Sequence, residues 1–543
     1  MKNQNFVEGA IILMIANLLV KVFGAVFKIP LTNIIGVEAM AYFNTAYGFY
    51  VIFYMISTAG LPVAVSKLVS AAEARENRRE SDKIFKIAYY LFLGFGLVGM
   101  LIMVVFAGAY ANYVKLQGLE WAIFAISPTL FFICLTSAYR GYFQGLKNMF
   151  PTAFSQICEA IGKLVIGLIA ALYASNKGYS PFIVAAFALI GVTVGALLST
   201  VVLKIYKSSL KIEKNNNPES VSSSTKLLKK LIVIAIPVTL SATIMSLTNT
   251  IDTTFMLKRL MDIGFLQDEA TKIMGSYTSM SVPLFNLPPN LIYPFAISII
   301  PALTSTFVSK NNKASESIMT STFRIASIIS IPCALGLSIF SLPIISILYK
   351  DNEYITTLQN GVELTSISVA APLLSVLAIS IFFVAIISVT NSVLQSYGHE
   401  TKTIISTFLG IAAKVVLTYT LIGNEKIGMY GAPISTLVCY AIIMNVNFYF
   451  VVKHTGFFPS IRKIILKPII SAVISIAFGA IIHQYLLKDY LGNIAIFISL
   501  PICVILYFLV LFLIKGVEKE DILLLPKGKN VAGFLEKINI LKK

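Results

Sequence analysis

Charge is what this sequence has least of. Only 13% of its 543 residues are Asp, Glu, Lys or Arg, while 57% are hydrophobic. A soluble globular chain carries roughly twice that charged fraction. Too little polar side chain is left to face water around a soluble core, which excludes a water-soluble globular protein. Histidine is almost missing as well: His399, His454 and His483 are the full set. There is no P-loop, no HExxH and no GxSxG, so neither nucleotide hydrolysis nor a metallo- or serine-hydrolase site is encoded. No catalytic residue, metal or cofactor is therefore assigned. The five cysteines, Cys134, Cys158, Cys333, Cys439 and Cys503, fall inside apolar segments without paired spacing or histidine neighbours. That pattern excludes a disulfide framework and a zinc site and leaves a packing role.

What fills the chain instead is a succession of apolar runs, each long enough to cross a hydrocarbon layer of about 30 Å. Helices are expected over residues 6–30, 41–69, 84–110, 119–144, 151–174, 181–204, 229–257, 274–305, 319–347, 362–395, 402–422, 428–452, 464–487 and 492–514. The first contains Lys21 and Lys28 and lacks a small-residue cleavage site, so it reads as a spanning helix and not as a signal peptide. No loop exceeds about 25 residues, which leaves no room for a soluble catalytic domain. The chain is thus an all-α polytopic membrane protein of about fourteen helices.

The formal charge of +18 is distributed with a purpose. The even-to-odd side, counting its loops, the adjoining helix ends and both termini, holds 31 of the 43 Lys and Arg; the opposite side holds eight. The positive-inside rule then places both termini in the cytoplasm of a cell-membrane protein, with basic loops facing anionic headgroups. Membrane lipid, and no nucleic acid, is the partner this charge calls for.

The longest polar stretch, KSSLKIEKNNNPESVSSSTKLL at 207–228, reads as a flexible cytoplasmic linker. It separates a first six-helix lobe (1–206) from a second (229–453); two further helices (454–515) and a basic tail (516–543) follow. The lobes echo each other. YRGYFQGLKNMFPTAFSQICEAIGKLVIGL (139–168) has its counterpart in TNSVLQSYGHETKTIISTFLGIAAKVVLTY (390–419), and Gln144 precedes Lys163 by the same 19 positions as Gln395 precedes Lys414. GLPVAVSKLVS (60–70) is likewise echoed by ISIIPALTS (297–305). Two matches in one order indicate a duplicated unit, and parallel six-helix repeats are a transporter architecture with the cargo between the halves.

Ionisable groups inside such segments are candidates for function, since a central Lys or Arg costs at least ~2.5–3.5 kcal/mol. Lys21 and Lys28, seven apart, share a helix face. Lys28 either snorkels to the surface or lines a cavity. Glu159 and Lys163 stand at i, i+4, in a favourable order for an ion pair that is either structural or functional. Lys414 is the repeat mate of Lys163, with Gly410 at i−4. Asn249 and Asp252 share a face of helix 7, where Asp252 is either a site residue or a helix-end acid neutralised by Lys258 or Arg259. Arg140 and Gln144 close helix 4, as site residues or as inner-loop anchors. Cations outnumber acids in this set, which favours an anionic cargo whose phosphate supplies the missing charge. Pro283, Pro288, Pro289, Pro294 and Pro301 crowd helix 8, which is expected to be bent or broken.

Three stretches, LVKVFGAVFKIPLTNIIG (19–36), STAGLPVAVSKLVSAAEA (57–74) and RGYFQGLKNMFPTAFSQICEAIGK (140–163), resemble the SpoVB/YtgP branch of the polysaccharide transporters. That superfamily (MOP) also holds MurJ-type lipid II flippases and MATE exporters. The resemblance spans essentially the whole chain. It implies two six-helix lobes around a V-shaped central cavity, with helices 13 and 14 forming a groove for a lipid tail. It implies an undecaprenyl-pyrophosphate-linked oligosaccharide as cargo, lipid II first, with cell-wall synthesis proteins as further partners. Lys21 falls where MurJ-type proteins place a cavity-lining base. The arginine-rich stretch of their helix 2 has no counterpart here, where 50–60 reads YVIFYMISTAG. The competing readings are a cation-coupled MATE-type exporter, a translocase for another lipid-linked polysaccharide unit, and a non-transporting scaffold of wall assembly.

Overall fold

Apolar segments without water must satisfy their backbone polar groups internally, and helices do so. The computed structural model describes residues 6–58, 60–209, 222–309, 311–350, 353–357, 361, 363–460, 462–518 and 520–521, and almost all of them are helical. Most of the 207–228 linker and the tail beyond 521 lie outside the described residues. The first part of the chain comprises α1 (Phe6–Thr58), α2 (Gly60–Glu73), α3 (Arg78–Tyr113), α4 (Leu119–Gly145), α5 (Phe150–Asn176), α6 (Pro181–Ser208), α7 (Ser224–Asp262) and α8 (Gln267–Ser276). A π-helical turn at Tyr277–Ser281 leads to α9 (Val282–Ser298), α10 (Ile300–Val308), α11 (Asn312–Ile339) and α12 (Ser341–Leu348). A small antiparallel hairpin, β1 (Tyr354–Thr357) with β2 (Glu363–Thr365), precedes α13 (Ser366–Ser396), α14 (Glu400–Ile422) and α15 (Gly431–Thr455). The chain ends in α16 (Lys467–Ile482), the single turn α17 (Lys488–Leu491) and α18 (Ile496–Leu513).

Among the described residues, eleven helical spans are long and apolar enough to cross a membrane. The first, Ile15–Glu73, is 59 residues long and covers the first two expected helices. The segments expected at 229–257 and 274–305 are helical but do not stand among these spans. The second of them is interrupted by the π-helical turn and again at Ile299, where the proline-rich sequence was expected to bend it.

The loop expected between helices 1 and 2 does not exist as a loop. Helix persists on both sides of Gly36, and only Gly36 leaves it, at φ 73 and ψ 172. That conformation is open to glycine alone at little cost. The two arms fold back on each other there, because the rings of Phe27 and Phe43 lie 6.1 Å apart. A straight helix would separate residues 16 apart by about 24 Å.

By packing, the chain divides into two units, Met1–Ser279 and Met280–Lys543, so the division falls in the π-helical turn and not at the polar linker. In the first unit α5 packs on α6, α4 on α3 and α6, and α1 on α4, α5, α7 and α8. Helix α3 shows the membrane pattern plainly. Ile84, Ala88, Phe92, Gly96, Gly99, Met103, Ala107 and Ala111 form its buried stripe, while Val98, Leu101, Val105 and Phe106 are exposed. Five of those eight buried residues are Gly or Ala, while the exposed ones are larger and apolar, as expected when lipid is the solvent. In the second unit α13 is central, against α9, α11 and α15, and α16 packs on α11 and α18.

One buried charge escapes the sequence pattern. Arg324 lies inside the span of α11 with 2% of its side chain exposed. Two carboxylates from beyond α18 meet it: Glu518 at 2.8 Å and Asp521 at 3.0 Å. Asp521 also accepts the Glu518 amide N–H at 2.8 Å. The C-terminal segment is thereby folded back onto α11. One guanidinium against two carboxylates leaves an excess negative charge, and burial above all, opposed by the pull of Arg324, holds the Asp521 carboxyl above its ordinary value of 3.8.

Arg324→Ala strands both acids and is expected to lower stability by about 3–5 kcal/mol, read as a lower Tm in detergent. For Asp521 the raised carboxyl means that folding takes up a proton. Its contribution is complete below pH 3.8 and drains away as the pH climbs through the folded value. Asp521→Asn should therefore flatten the dependence of Tm on pH above 3.8 while Glu518 keeps Arg324 paired; an unchanged slope would exonerate Asp521.

Candidate functional site

A seam of hydroxyl pairs joins α4 to α6. Thr129 meets Thr193 at 2.7 Å, and two turns on Thr136 meets Thr200 at 2.8 Å. Seven residues is close to two helical turns, so both pairs lie on one face. Arg140, one turn beyond Thr136, continues that seam. Its Nη2 donates to Glu159 Oε2 at 2.8 Å and to Ser199 Oγ at 3.1 Å, and its Nε donates to Ser155 Oγ at 3.2 Å. Three helices thus converge on one guanidinium, which is 14% exposed.

Glycines bring α5 and α6 close enough to build the opposite wall. A Cβ on Gly195 would stand 2.5 Å from the Glu159 carbonyl oxygen, and one on Gly162 would stand 2.9 Å from Gly195 Cα. Gly191, four residues before Gly195, presses on Gly167. This spacing of small residues lets membrane helices meet backbone to backbone. It fixes the depth of Gln156, Glu159 and Lys163, polar residues of α5 that face inward.

These elements enclose a chamber of about 280 Å³ within the first unit. Arg140, Gln156, Glu159, Lys163 and Asn17 supply its polar lining, and Phe23, Phe27, Tyr47, Tyr50 and Tyr54 supply an aromatic one. The ammonium of Lys163 lies 5.0 Å from the ring centres of both Phe27 and Tyr47. Cation–π contact of this kind is attractive without neutralising the charge.

The sequence candidates therefore separate. Arg140, Glu159 and Lys163 come together in the chamber. Glu159 pairs with Arg140 across helices and not with Lys163 along its own, because the planar fork of arginine reaches it from α4. Lys28 is partly buried and donates to the Thr278 carbonyl at 3.4 Å. It is close enough to Lys163 for the two charges to repel. Lys21 is partly exposed and does not stand among the residues lining the chamber, although Asn17, one turn before it, does. Gln144 lies one turn beyond Arg140, outside the lining. Asp252 is buried in α7, whose neighbouring Thr250 reaches the Gly48 carbonyl of α1 at 3.5 Å. The side chain of Asn249 lies outside the described residues. Lys414 is in the second unit, 1% exposed, and donates to Thr436 Oγ1 at 2.9 Å.

The tyrosines and Gln156 were not anticipated. A signal was present: Phe43, Tyr47, Tyr50 and Tyr54 are spaced four, three and four apart, which is one face of a helix.

The second unit holds a different cavity, of about 440 Å³, between α9, α11, α16 and α18. Its lining is almost wholly apolar, including Leu284, Ile328, Pro332, Leu337, Ile476 and Val504. Tyr507 borders it and donates its hydroxyl to the Ile328 carbonyl at 2.8 Å.

Comparison with known proteins places this geometry. The profile of the family described as polysaccharide biosynthesis protein matches residues 6–307. The lipid II flippase MurJ of Bacillus subtilis (strain 168) is 26% identical over 493 residues, 88% of either chain. A solved structure of lipid II flippase MurJ in an inward closed conformation superposes with a TM-score of 0.67 at 16% identity, covering 92% of this chain and 99% of that one. An inward-facing multidrug resistance MATE family transporter of the MOP superfamily gives 0.66 at 14% identity, covering 82% and 98%. The fold is that of the MOP superfamily transporters.

Arg140→Ala leaves the Glu159 carboxylate without its guanidinium and should cost about 1–3 kcal/mol. Adding Glu159→Gln should return part of that loss; strictly additive losses in thermal unfolding would show that the two do not act as a pair. Gly195→Val should lower stability by about 1–3 kcal/mol by forcing α5 from α6.

Proposed function

The chain belongs to the polysaccharide biosynthesis protein family, and we propose that it is a flippase for an undecaprenyl-pyrophosphate-linked saccharide, lipid II first, in the cytoplasmic membrane. Both termini face the cytoplasm in this reading, as the basic loops require. It is a transporter and not an enzyme.

One observation carries the proposal: a lysine held at the wall of a chamber in a membrane protein. Among the described residues Lys163 has no salt bridge, and its ammonium rests between two aromatic rings. The Glu159 carboxylate, already engaged by Arg140, offsets that charge only in part; a cation inside a spanning segment is expensive, and a phosphate entering the chamber would relieve the expense by a charge-assisted hydrogen bond. Arg140 adds a second donor group. A cationic drug would meet two positive side chains and one carboxylate already engaged by Arg140. This favours the anionic cargo over the MATE-type reading, although the fold serves both.

The apolar cavity of the second unit supports the same conclusion. A polyprenyl chain is hydrocarbon, and burial of hydrocarbon is favourable by roughly 25 cal/mol per Å². Helices α16 and α18, outside the repeat, wall that cavity together with α9 and α11. A polar chamber for the headgroup and an apolar groove for the tail are what an amphiphile needs to cross without exposing either end to the wrong solvent.

The test is replacement. The protein should restore lipid II translocation and growth in cells depleted of their own flippase. Lys163→Gln should abolish rescue with protein still in the membrane. Gly336→Phe, at a groove position with nothing within 4 Å of a new Cβ, should fill the groove and slow translocation at least tenfold. Full rescue by Lys163→Gln would remove the carrying observation, and ion-dependent drug efflux in place of rescue would establish the MATE-type reading.

A further inference from the structure

The chamber offers more acceptors than a phosphate can use. Gln156 lines it, and its Oε1 is buried with no hydrogen-bond partner among the described residues. Glu159 lines it too, and Arg140 engages only its Oε2. An ionised phosphate ester is an acceptor with no proton to give, so it can satisfy neither group and is repelled by the carboxylate. A hydroxyl both donates and accepts. The unmet need is for a ligand rich in hydroxyls.

The facing wall points the same way. Tyr47, Tyr50 and Tyr54 run along the second arm of α1, with successive ring centres 5.6 Å apart. An aromatic face is negative and attracts the slightly positive C–H edge of a partner. A pyranose presents such C–H groups on its flat faces and hydroxyls around its rim. At about 280 Å³ the chamber sits near the lower end of the roughly 300–1,000 Å³ of small-molecule sites, room for about one sugar ring and not for an extended oligosaccharide.

We propose that the chamber grips the saccharide itself: the pyranose next to the pyrophosphate packs against Tyr47 and Tyr54 and displaces the Lys163 ammonium from the Tyr47 ring, its hydroxyls donate to Gln156 and Glu159 and accept from Arg140, and Lys163 is thereby freed for the phosphate. The identity of the ligand rests on the flippase reading; the sugar platform is the addition. Tyr47 and Gln156 are then the residues that distinguish a sugar-bearing lipid from a bare one.

The experiment compares equilibrium binding of lipid II and of undecaprenyl pyrophosphate to the full-length protein in nanodiscs. The wild type should prefer lipid II at least tenfold. Tyr47→Leu and Gln156→Leu should each cut that preference about three- to tenfold, and Gln156→Leu should leave undecaprenyl pyrophosphate affinity within about twofold. Tyr47→Phe, which keeps the ring, should retain the preference. Should Tyr47→Leu fail to fold, Gln156→Leu, nearly equal in volume, carries the same comparison. Equal wild-type affinity for the two lipids, or variants that weaken both alike, overturns the platform. Translocation of lipid II without any sugar preference overturns the platform alone. A sugar preference without translocation overturns the flippase reading and leaves the platform standing.

Discussion

A guanidinium taken out of water has to be neutralised where it stands, and the first unit is organised around that requirement. Arg140 is fixed by Glu159, Ser155 and Ser199 from α5 and α6. Those partners are in reach only because Gly195 lets α6 close on the Glu159 carbonyl. The same closure fixes Lys163 one turn along α5, and so determines where the chamber is and what charge it shows. Packing of small residues and placement of charge are here one constraint, since α5 carries the Glu159 carboxylate and α6 the Ser199 hydroxyl that hold Arg140.

Arg324 obeys the rule by other means. It has no acid on a neighbouring span, so the chain returns after α18 and brings Glu518 and Asp521 to it. What makes Arg140 different is that its pair borders a chamber, which a buried, unpartnered Gln156 oxygen also lines.

Much of this was legible in the sequence because lipid imposes a coarse code. Apolar runs long enough to span gave the helices, and Arg140, Glu159 and Lys163 stood out as charges within them. What failed were inferences along the chain where the structure acts across it. The i, i+4 rule joined Glu159 to Lys163, whereas a third helix supplied the stronger partner. The first helix was expected to end at residue 30, yet Pro30 lies inside α1 and the chain turns at Gly36, whose positive φ no composition rule reveals. Lys21 carried the right charge in the right segment and stands one turn past Asn17, which lines the chamber, yet is not itself among the lining residues. Arg324 lies inside the helix expected over 319–347, but its pairing was invisible because its partners lie 194 and 197 positions away.

The repeat mates Lys163 and Lys414 show how duplicated sequence can take on separate work. Both sit on the fifth helix of their half in the sequence repeat. In the first unit Glu159 stands one turn before the lysine, attracts Arg140, and holds open a polar wall. In the second unit that position is Gly410, whose missing Cβ lets α14 close on α15, where a Cβ would stand 2.9 Å from the Cys439 carbonyl oxygen. The wall is lost with the side chain. Lys414 is consequently sealed at 1% exposure, and its ammonium donates to Thr436. One residue's difference, glutamate or glycine one turn before a lysine, thus decides whether the helix pair makes a chamber or a seam. The polar chamber belongs to the first unit for that reason, and the second unit is free to carry the apolar groove.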